Sequence, residues 1–137
     1  MTTTTSLEIT HMESGPLQPE VTVNAGFNIL DKATAGRLVH DFDSDADYSL
    51  TNTDSDKEWH YAFMEFTDTG TNLTTGRSVI YPDELGPIFL FRNSTAQVLT
   101  VKRSGQTGVD VQIDEIALLY HNGTDIVNII DQWQSAL

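Results

Sequence analysis

The chain has 137 residues and no cysteine, and seven Lys and Arg against twenty Asp and Glu give it a formal net charge of −13. One domain of this length can bury a hydrophobic core without disulfide or metal cross-links. The lack of cysteine excludes disulfides and Cys-based zinc sites. The negative charge disfavours nucleic acid and anionic membranes as partners. No apolar run reaches the roughly 20 residues that a transmembrane helix needs.

Residues 1–20 are predicted to form a flexible N-terminal arm. The arm begins with a Thr-rich stretch that has no apolar face, and Gly and Pro interrupt its second half. Leu7 and Ile9 alternate with polar residues, as in a short strand, so we expect them to be assembly residues. Such an arm becomes ordered when it pairs with the edge strand of a sheet or with a neighbouring chain.

A short helix is predicted over residues 24–35. Asn24 is a good N-cap, Phe27 and Leu30 fall at i, i+3 spacing on one face, and Gly36 suits the position after the last helical residue. A helix of about three turns needs packing against a larger body to persist. We therefore count Phe27 and Leu30 as further candidate assembly residues.

From Arg37 onward the chain predicts eight or nine short strands. Five runs of β-branched and aromatic residues between Ile88 and Ile130 are separated by turn residues such as Asn122-Gly123, which predicts an antiparallel meander. The predicted fold is all-β, an antiparallel, jelly-roll-like β-sandwich over residues 21–137 with one short N-terminal helix. No internal repeat with a fixed period is visible.

An acidic segment is the most conspicuous polar feature. Alternating carboxylates can bind a hard cation, but an EF-hand loop starting at Asp41 would need Gly and Glu where Ala46 and Asn52 stand. An extended backbone would place all the carboxylates on one solvated face, so a bare acidic surface is expected and Ca²⁺ is the minor alternative. The weak metal candidates are Asp41, Asp43, Asp45 and Asp47.

The remaining polar residues do not match a catalytic motif. The sequence has no Gly-x-Ser-x-Gly elbow, no phosphate-binding Gly-rich loop and no Cys nucleophile. A cupin-like metalloenzyme built from His40, His60 and an Asp can be imagined, although the spacing of these histidines matches no known ligand pattern. We therefore predict a protein without enzymatic activity or a cofactor.

One aromatic run offers a different kind of site. Trp59, Tyr61 and Phe63 would share a face if the run were a continuous strand. Such a face is either part of the core, which is the default for large aromatic residues, or a platform on which a glycan stacks.

Two blocks of the chain resemble small β-sandwich modules of bacteriophage virion proteins. The first is Pro19–Asp31, similar to a "VTVNEAFNILD" lead-in, from which it departs by Gly26 and by the lack of the Glu. The second, from Leu90 to Asp125, contains an "RN" turn, then "LTV", then a "GV-V" strand and a closing hairpin like "Y–DGT", in which Asn122 replaces the commoner Asp. The two blocks occur in the expected order.

The resemblance implies a non-enzymatic virion component. The expected roles are capsid decoration or cement protein, or part of a head or tail fibre, with the major capsid protein or a tail protein as partner. Modules of this kind commonly form trimers, so a homotrimer is expected. The alternative from a different functional class is a carbohydrate-binding module used in host adsorption.

Overall fold

The computed structural model describes Leu7, residues 19–53 and residues 56–131. Within these residues it contains one N-terminal α-helix, one 3₁₀ turn and nine strands, and residues 129–131 are also helical, so the predicted all-β class with an N-terminal helix is confirmed. The elements are α1 (Pro19–Ala35), β1 (Arg37–Asp41), β2 (Tyr48–Ser49), the 3₁₀ turn (Glu58–His60), β3 (Phe63–Thr67), β4 (Arg77–Tyr81), β5 (Phe89–Ser94), β6 (Leu99–Arg103), β7 (Val109–Val111), β8 (Ile116–His121) and β9 (Ile126–Asn128).

Helix α1 begins five residues earlier than predicted. Its first residue is Pro19, and Asn24, the predicted N-cap, lies inside the helix. Proline suits the first helical position because the N–H that it lacks would have no intrahelical partner there. The β-branched run 21–23 resembles a strand in the sequence, yet it is helical, because propensity is a weak preference that the surroundings override.

Gly36 ends the helix, as predicted. Its N–H donates to the carbonyl oxygens of Asp31 and Lys32 at 3.0 and 3.1 Å. A Cβ atom at this position would lie 2.6 Å from Cα of Lys32, so a side chain would collide with the helix. The carbonyl of Lys32 also accepts the N–H of Ala62 at 3.1 Å, which ties the end of the helix to the start of β3.

The nine strands form two mixed sheets. Five strands lie in the order β1-β3-β5-β8-β9 and four in the order β2-β4-β6-β7. From β1 to β6 the chain alternates between the sheets, and the neighbours β1–β3, β3–β5, β2–β4 and β4–β6 are all parallel. The predicted antiparallel arrangement is therefore wrong for the first six strands. Each strand is followed by a crossing to the other sheet, so the chain returns to its own sheet in the same direction.

The predicted C-terminal meander is also wrong. Strands β5 and β6 follow each other in the sequence but lie in different sheets, and β5 pairs instead with β8. Direct hairpins join β6 to β7 and β8 to β9. In the second hairpin Gly123 has φ 99°, whereas Asn122 does not have a positive φ and uses its side-chain oxygen to accept the N–H groups of Thr124 and Asp125.

The alternation between sheets explains why no fixed period is visible in the sequence. In the five-stranded sheet Arg37 pairs with Phe63 and Phe63 with Leu90, spacings of 26 and 27 residues. In the four-stranded sheet Tyr48 pairs with Val79 and Val79 with Val101, spacings of 31 and 22 residues. The strands therefore repeat in space, while the unequal connections between them remove the regular period.

The two sheets share one hydrophobic core. Tyr81 of β4 stacks on Phe89 of β5 with ring centroids 5.4 Å apart, and Tyr48 of β2 contacts Phe66 of β3 at 5.8 Å. Within the five-stranded sheet, Phe66 stacks on Phe91 at 5.1 Å. Phe66 is paired with Asn93 and Phe91 with Met64, so the two stacked rings lie diagonally across neighbouring strands.

Asn93, near the end of β5, is fully buried, and its side chain connects three chain segments. Its amide nitrogen donates to the carbonyl oxygens of Gln97 at 2.7 Å and Val111 at 3.0 Å. Its amide oxygen accepts from the N–H and the hydroxyl of Thr95 at 3.0 and 2.8 Å. A buried amide stabilises a protein when all its groups are paired, and here the side chain joins β5, the turn to β6, and β7.

We predict that Asn93→Leu, which keeps the volume but removes the amide, lowers the free energy of unfolding by about 3 kcal/mol. The loss is expected because the buried partners of the amide keep their desolvation cost without a hydrogen bond. Urea unfolding followed by circular dichroism measures it. Asn28→Leu, at an exposed position of α1, is the matched control, and equal stability losses in the two variants would contradict the assignment.

Candidate functional site

The acidic segment does not gather its carboxylates around one point. Asp41, the last residue of β1, accepts the hydroxyl of Thr67 at 2.8 Å and both the N–H and the hydroxyl of Thr69, at 2.8 and 2.6 Å. These hydrogen bonds, with those from Thr69 foremost, hold the pKa of Asp41 below its ordinary value. Asp41 therefore fixes the turn that follows β3.

Asp45 and Asp47 fix the start of β4 in the same way. Asp45 accepts Nε of Arg77 at 2.9 Å and bonds to Thr74, and these contacts, led by Arg77, lower its pKa to about 2. Asp47 accepts the N–H of Ser78 at 2.9 Å. Asp43 is exposed. Within residues 19–53 and 56–131, no group of three or more His, Cys, Asp or Glu side chains is arranged to hold a metal ion.

The aromatic run does not form the glycan platform that was the alternative to a role in the core. Trp59 belongs to the 3₁₀ turn, is 0% exposed, and its Nε1 donates to Oδ1 of Asn52 at 2.9 Å. Tyr61 and Phe63 are half-buried, and cations already lie near their rings: Lys32 is 5.1 Å from the ring of Tyr61 and Arg37 is 5.4 Å from that of Phe63. The 3₁₀ turn breaks the alternation on which a shared face depended.

The two histidines of the imagined metal site have other environments. His40, on β1, stacks on Tyr48 with centroids 3.7 Å apart. His60, in the 3₁₀ turn, is buried against Trp59, with centroids 4.1 Å apart. Both side chains are thus part of the aromatic packing of the core.

A third histidine, His121 at the end of β8, has an unusual environment. Its Nδ1 accepts the N–H of Gly123 at 3.0 Å, so Nε2 carries the proton of the neutral ring. Nε2 is buried and has no hydrogen-bond partner among the described residues, and the nearest carboxylate oxygen, of Asp83, lies 3.9 Å away. Burial, followed by the charge of Arg103, lowers the pKa of His121 below its ordinary value of 6.5.

The outer face of the five-stranded sheet is the surface with the clearest potential for binding. Side chains that point away from the core align in two rows across four paired strands. Val39 and Ile116, at the two ends of one row, are 54% and 52% exposed. We define the outer face by these two rows, which are Arg37, Phe63, Leu90 and Leu118, and Val39, Glu65, Arg92 and Ile116.

Glu65 is the one acidic residue of the outer face, and its charge is compensated. Its carboxylate bonds to the guanidinium of Arg37, accepts the hydroxyl of Ser94 at 2.9 Å, and lies 4.0 Å from Nε of Arg92. The bond from Arg37, followed by that from Ser94, lowers the pKa of Glu65. Within the two rows two arginines face one glutamate, and Asp41 follows in the next row on the same side of β1, so the charges of this side are balanced.

The predicted assembly residues fall in three environments. Phe27 and Leu30 lie on the exposed side of α1, where Phe27 is 63% exposed and Val23 adds a third apolar side chain to the stripe. Leu7 is half-exposed, and Ile9 lies outside the described residues.

The outer face was not predicted from the sequence, although a signal for it exists. Ile88–Phe91 is a continuous apolar run, and such a run is typical of a strand that is covered on both faces. In the structure Phe89 and Phe91 point into the core, while Leu90 and Ile88 remain exposed.

Comparison of the chain with protein-family models, with curated proteins and with solved structures gave no match. Among the residues that the structure describes, no helix is long and apolar enough to cross a membrane.

We predict that the protein loses stability in mild acid because of His121. The unfolded chain takes up a proton near pH 6.5, whereas the folded chain does so at lower pH. The stabilisation is complete above about pH 6.5 and is lost as the pH falls through the lowered folded-state pKa. Thermal unfolding at a series of pH values measures this loss.

His121→Gln is expected to reduce the pH dependence of the thermal stability between neutral pH and the lower range in which carboxylates titrate. His11→Gln controls for the removal of one histidine from the chain. If the His121 variant kept the full acid-dependent decrease, another group would be responsible for it.

Proposed function

We propose that this protein is a non-enzymatic structural component of a bacteriophage particle, either a capsid decoration or cement protein or part of a fibre. The observation that carries the proposal is the outer face of the five-stranded sheet, where the partly exposed side chains of Phe63, Leu90 and Leu118 lie in register on three strands and Ile116 is exposed beside them. Isolated exposed apolar residues are normal, but a contiguous patch marks an interaction surface. The resemblance of two sequence blocks to phage virion modules is the reason for proposing a phage particle as the assembly.

The positions of the charged residues support a binding role. Carboxylates such as Asp41 and Asp45 fix loops of the same chain, and Glu65 is compensated by two arginines. Nothing in these contacts poises a carboxylate as a general acid or base. The glycan-binding alternative is not carried forward, because Trp59 is buried and Lys32 and Arg37 lie near the other two rings.

We also propose to classify the two sheets as a β-sandwich. The contacts of Tyr81 with Phe89 and of Tyr48 with Phe66 across the sheets support this classification. A jelly roll is built from antiparallel strands, so the parallel pairing of β1, β3 and β5 favours a sandwich of a different type.

Strand β1 is the proposed docking edge for an extended segment. It has five residues and lies at the edge of its sheet, whereas the other described edge strands, β2, β7 and β9, have two or three. A long edge presents main-chain donors and acceptors to another chain, while short edges discourage such pairing. The N-terminal arm of a neighbouring copy is the proposed occupant of this edge.

We predict that each phage particle produced from the genome that encodes this protein contains a fixed number of copies of the protein. Because the proposed contact surface is apolar, a high-salt wash should not remove the protein. Quantitative mass spectrometry of washed particles measures the copy number, with a host protein of similar abundance as the contamination control. Particles that lack the chain would contradict the proposed function.

We further predict that deleting residues 1–12 releases the protein from particles and leaves the isolated domain folded. The deletion removes Leu7 and Ile9, which are the proposed strand-forming residues of the arm, but no residue of α1 or of the sheets. Co-sedimentation with particles and circular dichroism of the free domain test the two parts. Deletion of residues 132–137 is the control, and full occupancy by the shortened chain would refute the role of the arm.

A further inference from the structure

We infer that Asn122, at the tip of the β8–β9 hairpin, is a self-modification site at which the side-chain amide is lost as ammonia. The reaction converts Asn122 to aspartate or isoaspartate, and water is its only co-reactant. The inference does not depend on the proposed function. Three features of the hairpin carry it, namely the nucleophile, the base that contacts the nucleophile, and the donors that bind the amide oxygen.

Gly123 supplies the nucleophile. Asn122 is the only asparagine in the sequence that a glycine follows, and both residues are exposed. The main-chain nitrogen of Gly123 closes a five-membered ring when it attacks Cγ of Asn122, and a residue without a side chain leaves that nitrogen accessible. Apart from its neighbours in the chain, a Cβ atom on Gly123 would meet none of the described residues within 4 Å. The space around Gly123 is therefore open for the ring to form and for water to enter.

His121 supplies the base. Its Nδ1 accepts the N–H of Gly123 at 3.0 Å, so the proton that must leave the nucleophile already faces a basic nitrogen. The side chain of His121 is only 1% exposed, and this burial fixes the position of the ring. Proton transfer to a positioned base accelerates enzymatic reactions by roughly 10²–10⁴-fold. His121 is therefore placed to act as the general base.

The amide oxygen of Asn122 is bound by two main-chain donors. Oδ1 accepts the N–H of Thr124 at 2.9 Å and the N–H of Asp125 at 3.0 Å. Negative charge develops on this oxygen when the nitrogen of Gly123 adds to Cγ, and paired N–H groups stabilise such charge, as in an oxyanion hole. The same two bonds turn the amide toward the main chain that follows it, which is the side from which Gly123 attacks.

The reaction balances with water alone. The nitrogen of Gly123 forms a bond to Cγ of Asn122, and its proton passes to Nδ1 of His121. The Cγ–Nδ2 bond then breaks, and the side-chain nitrogen takes the proton from His121 and leaves as ammonia. Water opens the resulting succinimide at either carbonyl, which gives aspartate or isoaspartate. The formal net charge of −13 becomes more negative by one, because a carboxylate replaces a neutral amide.

The two products affect the hairpin differently. Aspartate keeps an oxygen in the place of Oδ1, so it still accepts the N–H groups of Thr124 and Asp125. Isoaspartate carries the main chain through Cβ and Cγ, which lengthens the loop by one atom and removes this acceptor. Because His121 pairs with Ile126 across the loop, isoaspartate is expected to weaken the pairing of β8 with β9.

Asn93, which Ser94 follows, is the internal comparison. Its amide nitrogen donates to the carbonyl oxygens of Gln97 and Val111 at 2.7 and 3.0 Å, and the residue is 0% exposed. These contacts hold the leaving group, and burial keeps water away from it. Asn93 is therefore expected to remain unchanged as long as the protein is folded.

Peptide mapping of the purified full chain by mass spectrometry, after incubation near neutral pH, tests the inference. Asn122 is expected to be converted at least about tenfold faster in the folded protein than in the same chain unfolded in urea, because only the folded hairpin holds the base and the donors in place. Equal or slower conversion in the folded protein would overturn the inference. Conversion of Asn93 at a similar rate would show that both residues react through unfolded molecules, and would overturn it as well.

The pH dependence of the rate identifies the base. Burial lowers the pKa of His121 below its ordinary value of 6.5, so the ring is neutral above that pH. The charged groups around the ring are Asp83 from the loop after β4, Arg103 of β6 and Asp125 of the hairpin; the two carboxylates favour the protonated ring and Arg103 opposes it. The rate in the folded protein is expected to be constant above about pH 6.5, whereas in unfolded chains hydroxide removes the proton and the rate continues to rise.

Substitution of the base completes the test. His121→Gln is expected to reduce the rate in the folded protein at least about tenfold, while His11→Gln, the control for loss of one histidine, keeps the wild-type rate. Asn122→Asp serves as the reference for the aspartate product, and circular dichroism verifies folding. A folded His121 variant with the wild-type rate would contradict the assignment of the base. If that variant does not fold, the wild-type pH profile decides, and a rate that rises with hydroxide as in the unfolded chain contradicts the assignment.

Discussion

The side chain of Asn93 holds the structure together at the point where the chain leaves one sheet for the other. Its four hydrogen bonds connect the end of β5 with Thr95, Gln97 and β7. Its main chain adds two more, because its N–H donates to the carbonyl of Glu115 and its carbonyl accepts the N–H of Asp114. The crossing from β5 to β6 and the approach to β8 therefore depend on one buried amide whose groups are all paired.

The crossing matters because alternation between sheets creates the surface that we assign to binding. Each return to the five-stranded sheet places a strand parallel to the one before it, in register with it. Side chains at matching positions then form straight rows on the inner and on the outer side of the sheet. Carboxylates such as Asp41 and Asp45 bind the loops between strands.

Local patterns were sufficient to predict most of the elements, but not their pairing. The β-branched and aromatic runs between Ile88 and Ile130 correctly predicted several short strands, and Gly36 correctly ended the helix. The pairing was predicted wrongly, because a turn such as residues 95–98 looks the same whether the next strand pairs with the last one or crosses to another sheet. That choice depends on contacts between distant residues, as in the pairing of Phe89 with Leu119.

By itself, therefore, the sequence determined the β class, the strand positions and the acidic surface, because these follow from side-chain periodicity, turn residues and composition. Only the tertiary structure decided that Trp59 is buried, that the four aspartates from Asp41 to Asp47 are separated, and that Leu90 and Ile116 share an exposed face. Burial and proximity depend on which strands become neighbours, and residues far apart in the sequence determine that choice through the packing of one shared core.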